Sequence, residues 1–176
     1  MRPSTPHPSH PASETITTQI PLKRRDGKTV AYALVDANDA PPLIDRTWRL
    51  STHGYAVRSE TRDGKKRTIY LHREILKVAA GSLVDHVNGD RLDNRRQNLR
   101  VATPGENAAN SRDRPRRSGY RGVYPHKPTG RWIAQISAGG QVRHLGIYDD
   151  PEVAARAYDL AALGQWGQFA RTSGFA

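Results

Sequence analysis

The sequence contains no cysteine, one methionine and two phenylalanines in 176 residues. Without thiols there is no disulfide framework, no thiol nucleophile and no thiolate-held zinc. No apolar run approaches the ~20 residues of a membrane span, and the amino terminus lacks an apolar signal core. A soluble, intracellular protein is therefore expected. Acids are also in short supply, with 17 Asp+Glu against 28 Lys+Arg for a net charge of +11. Such an excess points to a polyanionic partner, the competing reading being a merely soluble basic protein. With 12 Pro, 15 Gly and 36% hydrophobic residues, one large core is not expected.

What is present falls into two small units. Residues 1–18 are rich in Pro, Ser, Thr and His and read as a disordered tail. Strand-like alternation follows at Thr29–Val35, Gly54–Arg58 and Thr68–His72, with a turn expected at Asp63-Gly64-Lys65. From Ser82 to Val101, Asp, Asn, His and Arg dominate, so this segment should be a loop held by hydrogen bonds or one that holds an ion. Residues 113–118 are a basic, Pro-containing linker. Beyond it, strands are expected at Tyr120–Tyr124, Arg131–Ser137 and Gln141–Tyr148, then a helix from Pro151 to about Leu163. Asp150 suits its N-cap, Pro151 its first turn and Glu152 its dipole.

The run Val84-Asp85-His86-Val87-Asn88-Gly89-Asp90-Arg91-Leu92-Asp93-Asn94-Arg95-Arg96-Gln97-Asn98-Leu99-Arg100 carries most of the chemistry. Phosphodiester hydrolysis needs a base to deprotonate water and a cation to neutralise the leaving oxygen. Imidazole, with a pKa of ~6.5, suits the first task, and Asp and Asn oxygens suit a hard cation. On a regular strand Asp85 and His86 would point to opposite sides, so a partly irregular strand end is expected. Asn88-Gly89 also suits a plain hairpin turn. His72 reads as a core histidine in preference to a catalytic one, and His53 and His144 show no partner in a nuclease site.

This run resembles the HNH nuclease family, in its homing-endonuclease branch of phages and bacteria. The resemblance rests on Asp85-His86, Asn88-Gly89, Asn94, Asn98-Leu99-Arg100 and Asn107, with Gly54–Arg58 and Tyr70–Arg73 upstream. It implies an α+β, ββα-metal nuclease domain over residues 19–112. His86 would be the general base, Asp85 and Asn107 the metal ligands, and Asn98 the residue that orients the loop. The cofactor implied is a divalent metal, Mg²⁺ first and Mn²⁺ as the alternative. Arg95, Arg96 and Arg100 beside such a site would grip phosphates rather than form a solvated face.

From Arg114 to Tyr148 there are seven Lys/Arg and no acid, so positive potential belongs to the sheet and not the helix. In the second strand Trp132, Ala134 and Ile136 share the face that packs on the helix, and Arg131, Ile133, Gln135 and Ser137 share the other. This region resembles the DNA-binding domain of plant ethylene-response factors, of the APETALA type. The matching residues are Tyr120–Val123, Gly130–Trp132, Leu145–Tyr148 and Ala154–Asp159. It implies, over residues 119–176, a three-stranded antiparallel sheet packed on one helix and laid in the major groove. Arg121, Arg131, Gln135 and His144 would be contacts; Arg143 could belong to either face. Tyr124, Ser137 and His144 depart from the plant pattern, so the plant target sequence does not carry over.

The function expected is a metal-dependent, site-specific DNA endonuclease of homing type acting on double-stranded DNA. It needs no membrane and no obligate protein partner, and a cytoplasmic location in a phage or bacterial setting follows. The alternatives are a DNA-binding transcriptional regulator on an inactive nuclease scaffold and, further off, an RNA substrate.

Overall fold

A computed structural model describes residues 16–111 and 118–173 of the chain. The expected tail up to residue 15 and the linker from 113 to 117 lie outside the described residues.

The first half is built on strands β1 (Thr17–Lys23) and β2 (Thr29–Asp36), an antiparallel pair in which Ile20 faces Ala33 and Leu22 faces Ala31. Alternation sends Ile20, Leu22, Ala33 and Val35 inward. There they meet Leu43 of the short helix α1 (Pro41–Ile44) and Trp48, which is fully buried. The Trp48 indole N–H donates to the Leu43 carbonyl at 2.9 Å, so its polar atom is satisfied inside the core. Burying these side chains at ~25 cal/mol per Å² of apolar surface is the main driving force for this half.

Strands β3 (Arg49–Leu50), β4 (Ala56–Arg62) and β5 (Lys65–Tyr70) form a second antiparallel sheet in that order. Asp63 and Gly64 turn the β4–β5 hairpin with φ of 52° and 71°, the left-handed pair that matches strand twist. The chain then leaves the sheet earlier than its apolar pattern suggests. Leu71 and His72 open helix α2 (Leu71–Leu76) and do not extend β5, because Leu71 and Ile75, one turn apart, both reach the core.

Strands β6 (Leu83–His86) and β7 (Leu99–Ala102) pair antiparallel, with Asp85 opposite Arg100 and His86 opposite Leu99. Helix α3 (Pro104–Ala109) follows at once, completing a ββα unit. Thr103 starts it with a reciprocal capping box to Glu106.

The second half is a three-stranded antiparallel sheet in the order β10 (Gln141–Tyr148), β9 (Arg131–Ala138), β8 (Val123–His126). Helix α4 (Pro151–Trp166) packs on it, and Asp150 accepts from the Glu152 N–H as its N-cap. Strand β8 starts at Val123, not Tyr120, since Ser118 Oγ ties the Tyr120 and Val123 carbonyls into a turn. Ala134 and Ile136 are buried, and Trp132 packs with Val123, Ala154 and Ala155 on the helix side. At Gly122 (φ 67°) a Cβ would stand 2.0 Å from Tyr158 Cδ2, so the helix approaches as closely as glycine permits. No helix among the described residues is long and apolar enough to cross a membrane.

Candidate active site

The loop between β6 and β7 has only Leu92 packed against the core and is held chiefly by side-chain amides. Asn98 Oδ1 accepts from the Asn88 N–H at 2.9 Å, and Asn98 Nδ2 donates to the Asp93 carbonyl at 2.7 Å. The backbone of Asn94 donates to the Leu34 carbonyl, and that of Leu34 to the Leu92 carbonyl, which stitches the loop onto β2. Arg95 pairs with Asp93, whose carboxyl it holds below the usual range as the strongest influence on it. With these bonds made, the loop is a rigid wall.

Against that wall lies a cavity of about 650 Å³, lined among others by Tyr55, Asp85, His86, Arg91, Asn107 and Asn110. His86 and Asp85 are both buried. The His86 ring meets the His72 ring edge-on, with centroids 5.2 Å apart at 88°, and lies 6.0 Å from the Tyr55 ring. Tyr70 closes the cluster at 5.8 Å from Tyr55.

Burial pushes the pKa of His86 down, outweighing the upward pull of Asn94, Asp85, Asp90 and Asp93. Burial, with smaller contributions from His86 and Arg73, pushes His72 down to about 3. Both rings are therefore neutral at pH 7. Nε2 of His86 and Oδ1 of the fully buried Asn94 are both shut off from solvent, and the Asn94 side chain, acting on the ring as a hydrogen-bond partner, favours its protonated form. A neutral imidazole that lines a cavity can take a proton from water.

Asp85 points the other way along β6, toward α3 and β7. Its carboxylate accepts from Asn110 Nδ2 at 3.1 Å on both oxygens and from Arg100 Nε at 2.9 Å, with Arg100 Nη2 2.7 Å away. Asn110 Nδ2 also donates to the His86 carbonyl at 2.9 Å. Asn107 is exposed one turn earlier and lines the same cavity. Among the described residues no group of three or more His, Cys, Asp or Glu could hold a metal ion. One carboxylate and one amide oxygen beside open, polar space fit a hard cation that keeps several of its waters, as Mg²⁺ does. The set does not fit a closed tetrahedral site.

The structure thus brings Asp85, His86 and Asn107 to one cavity and Asn98 into its wall. The arginines expected at phosphate are engaged elsewhere: Arg95 with Asp93, Arg96 with Asp39 at 2.7 Å and Arg100 with Asp85. In the second half Arg131 pairs with Asp149 at 2.7 Å, and Arg121 donates to the Ala108 and Ser111 carbonyls. Gln135 and His144 are cross-strand partners and so share the sheet face turned away from α4. Arg143 pairs with Ile136, which places it on the helix side, with a bulge separating the two registers at Leu145.

Sequence reasoning passed over Asn110, placed Asn94 and Tyr55 in the matching motif without a role at the site, and ranked His72 as core, where its burial puts it. Asn110 follows Asn107 by three residues, a helical spacing that puts both amides near one face, and this was the available signal.

Residues 77–109 match the family model described as HNH endonuclease. An uncharacterized HNH endonuclease of Acanthamoeba polyphaga mimivirus is 28% identical over 145 residues, covering 79% of this chain and 73% of that protein. The carboxy-terminal region is homologous to AP2-like DNA-binding domains. One AP2-like ethylene-responsive transcription factor of Arabidopsis thaliana is 46% identical over 77 residues, 38% of this chain. The match takes in only 24% of that plant protein's length. A structure described as DNA binding and cleavage by the HNH homing endonuclease I-HmuI aligns over 82% of this chain and 79% of its own. Its identity is 18% and its TM-score 0.33. The chain therefore joins a segment that matches the HNH endonuclease model to one that is similar to AP2-like proteins.

Proposed function

We propose that the protein is a metal-dependent DNA endonuclease of homing type, with nuclease residues 19–112 and a recognition module at 119–176. The observation that carries this reading is the neutral imidazole of His86 lining the same cavity as Asp85 and Asn107. His86 takes the proton from the attacking water, and its depressed pKa keeps the imidazole neutral and ready at pH 7. Asp85 and the Asn107 amide would hold the divalent ion, Mg²⁺ or Mn²⁺, whose charge stabilises the departing 3′-oxygen. For Asp85 to do so, Arg100 must give up part of its hold on the carboxylate. Asn98 keeps the loop in register and His86 aimed.

The sheet supplies selectivity. Gln135 and His144, side by side on the face away from α4, suit base edges in the major groove, where each good contact discriminates by ~1–3 kcal/mol. Arg131 would contribute from the same face against phosphate once Asp149 releases it, whereas Arg143, on the helix side, would reach phosphate only around the sheet's edge. Such a protein works on DNA inside a cell.

The test is plasmid cleavage with Mg²⁺ or Mn²⁺, with and without EDTA. Cleavage should appear with the ion, vanish with EDTA and vanish in His86→Ala, whose DNA binding stays close to that of the parent. Full cleavage by His86→Ala would overturn the base assignment. DNA binding without cleavage under any divalent ion would favour the rival reading of a regulator on an inactive scaffold.

A further inference from the structure

The nuclease reading needs cations at the phosphates beside the cut, yet Arg95, Arg96 and Arg100 are all held by carboxylates. A second cavity, of about 770 Å³, offers cations that are not. It is lined by Lys23, Arg24, Arg25 and Arg49, with Asp26 as its one acid. Among the described residues, Lys23, Arg24 and Arg25 make no ion pair, and Arg49 donates only to Ser59 Oγ. The acid is itself engaged: Asp26 accepts from the Lys28 N–H at 3.0 Å in the β1–β2 turn.

Position makes this patch more than a solvated face. Leu50 of β3 lines both this cavity and the one containing His86. Ser51 and Thr52 continue the wall on one side, Gly54 and Tyr55 on the other. Over that shared wall lies Arg91, its guanidinium 4.8 Å from the Tyr55 ring centre and donating to the His53 carbonyl. Cations therefore mark the way from the cavity of His86, past Arg91, to the β1–β2 turn. The turn is fixed by the backbone bonds Arg24 N–H to Lys28 O and Lys23 N–H to Trp48 O, so its cations are presented on a rigid mount.

We propose that Lys23, Arg24, Arg25 and Arg49 are the docking track for the phosphodiester backbone of duplex DNA on one side of the cut. This rests on the nuclease reading of the adjoining cavity. Duplex DNA carries one negative charge per ~1.7 Å of axis, and a channel of cations leading away from the reacting phosphate matches a continuous charged backbone better than a compact anion. The track carries affinity and register and reads no sequence.

The experiment measures binding of the full chain to a random-sequence DNA duplex in EDTA across a series of salt concentrations, so cleavage plays no part. Each lost phosphate contact lowers the slope of log K against log salt by ~0.9. The triple variant Lys23→Gln/Arg24→Gln/Arg25→Gln should therefore have a slope shallower by about 2.7 and lose about 40-fold less affinity between ~50 and ~200 mM salt. All three side chains are exposed, so its thermal unfolding should match the parent's, which checks the fold. An unchanged slope, or a slope changed for duplex RNA but not DNA, overturns the proposal. If the slope falls yet no divalent ion supports cleavage, the nuclease reading fails and the DNA track stands. If cleavage stands and the slope does not move, the track alone is lost.

Discussion

Acidification from pH 7 to pH 5 should cost the protein about 2 kcal/mol of folding stability through His72 alone. In the folded state burial holds His72 down to about 3, whereas an unfolded histidine titrates near ~6.5. Above the unfolded pKa neither state binds the proton and the residue costs nothing. As the pH falls below it, only the unfolded chain gains the proton, so stability is lost progressively until the folded pKa is reached. At pH 5 the unfolded chain is favoured by about 1.5 decades of proton binding, or about 2 kcal/mol at 1.36 kcal/mol per decade. Any folded value below ~4 gives the same figure, because the folded ring is still neutral at pH 5. The assay is urea unfolding followed by tryptophan fluorescence, with Trp48 in the core beside α2 as the local reporter. The comparison is between the parent and His72→Leu, each at pH 7 and pH 5. Whatever repacking costs the variant cancels across its own pH pair. The parent should lose about 2 kcal/mol more than the variant on acidification. Equal losses would show that His72 is protonated or solvated in the folded protein, and the argument from its burial would fall.

Arg100→Met should destabilise the protein by about 3–5 kcal/mol in EDTA, because it strands the buried Asp85 carboxylate. Thermal unfolding should recover part of the loss on adding Mg²⁺, and a loss under ~1 kcal/mol would show that the pair is solvated. Gly122→Ala should cost several kcal/mol, since its methyl group collides with the Tyr158 ring and the Gln135 carbonyl at a positive φ. A melting temperature within about a degree of the parent's would refute that close approach.

The parts of this molecule that the sequence reveals are those fixed by neighbours along the chain. Strand β10 and the start of α4 at Asp150 and Pro151 depend on alternation and capping, which are local, and the structure has them at the expected residues. The gathering of Asp85, His86 and Asn107 in one cavity follows from a spacing that a ββα unit imposes. Charge pairing is another matter. Arg96 finds Asp39 across 57 residues, and Arg58 finds Glu74 across 16. Nothing in a run of arginines tells which will be neutralised by a distant carboxylate. For the same reason the cations of the β1–β2 turn, without an ion pair among the described residues, drew no notice beside the denser basic run at Arg91–Arg100. His72 was visible as a histidine in an apolar stretch, but its edge-on contact with His86 depends on how α2 docks beneath β6. The Arg100 pair was within reach, for Arg100 lies directly across the strand from Asp85.

Arg121 ties the two halves in a way that bears on engineering. Its guanidinium sits on the Ala108 and Ser111 carbonyls, at the end of the short helix whose C-cap residue, Asn110, steadies Asp85. Arg100 adds a second strap, stacked 3.9 Å from the Phe169 ring and bonded to the Gln168 carbonyl. The carboxy-terminal half is thus no interchangeable cartridge. A chimera that swaps it for another unit would need to regrow both clasps, or accept a slacker seat under the cavity of His86.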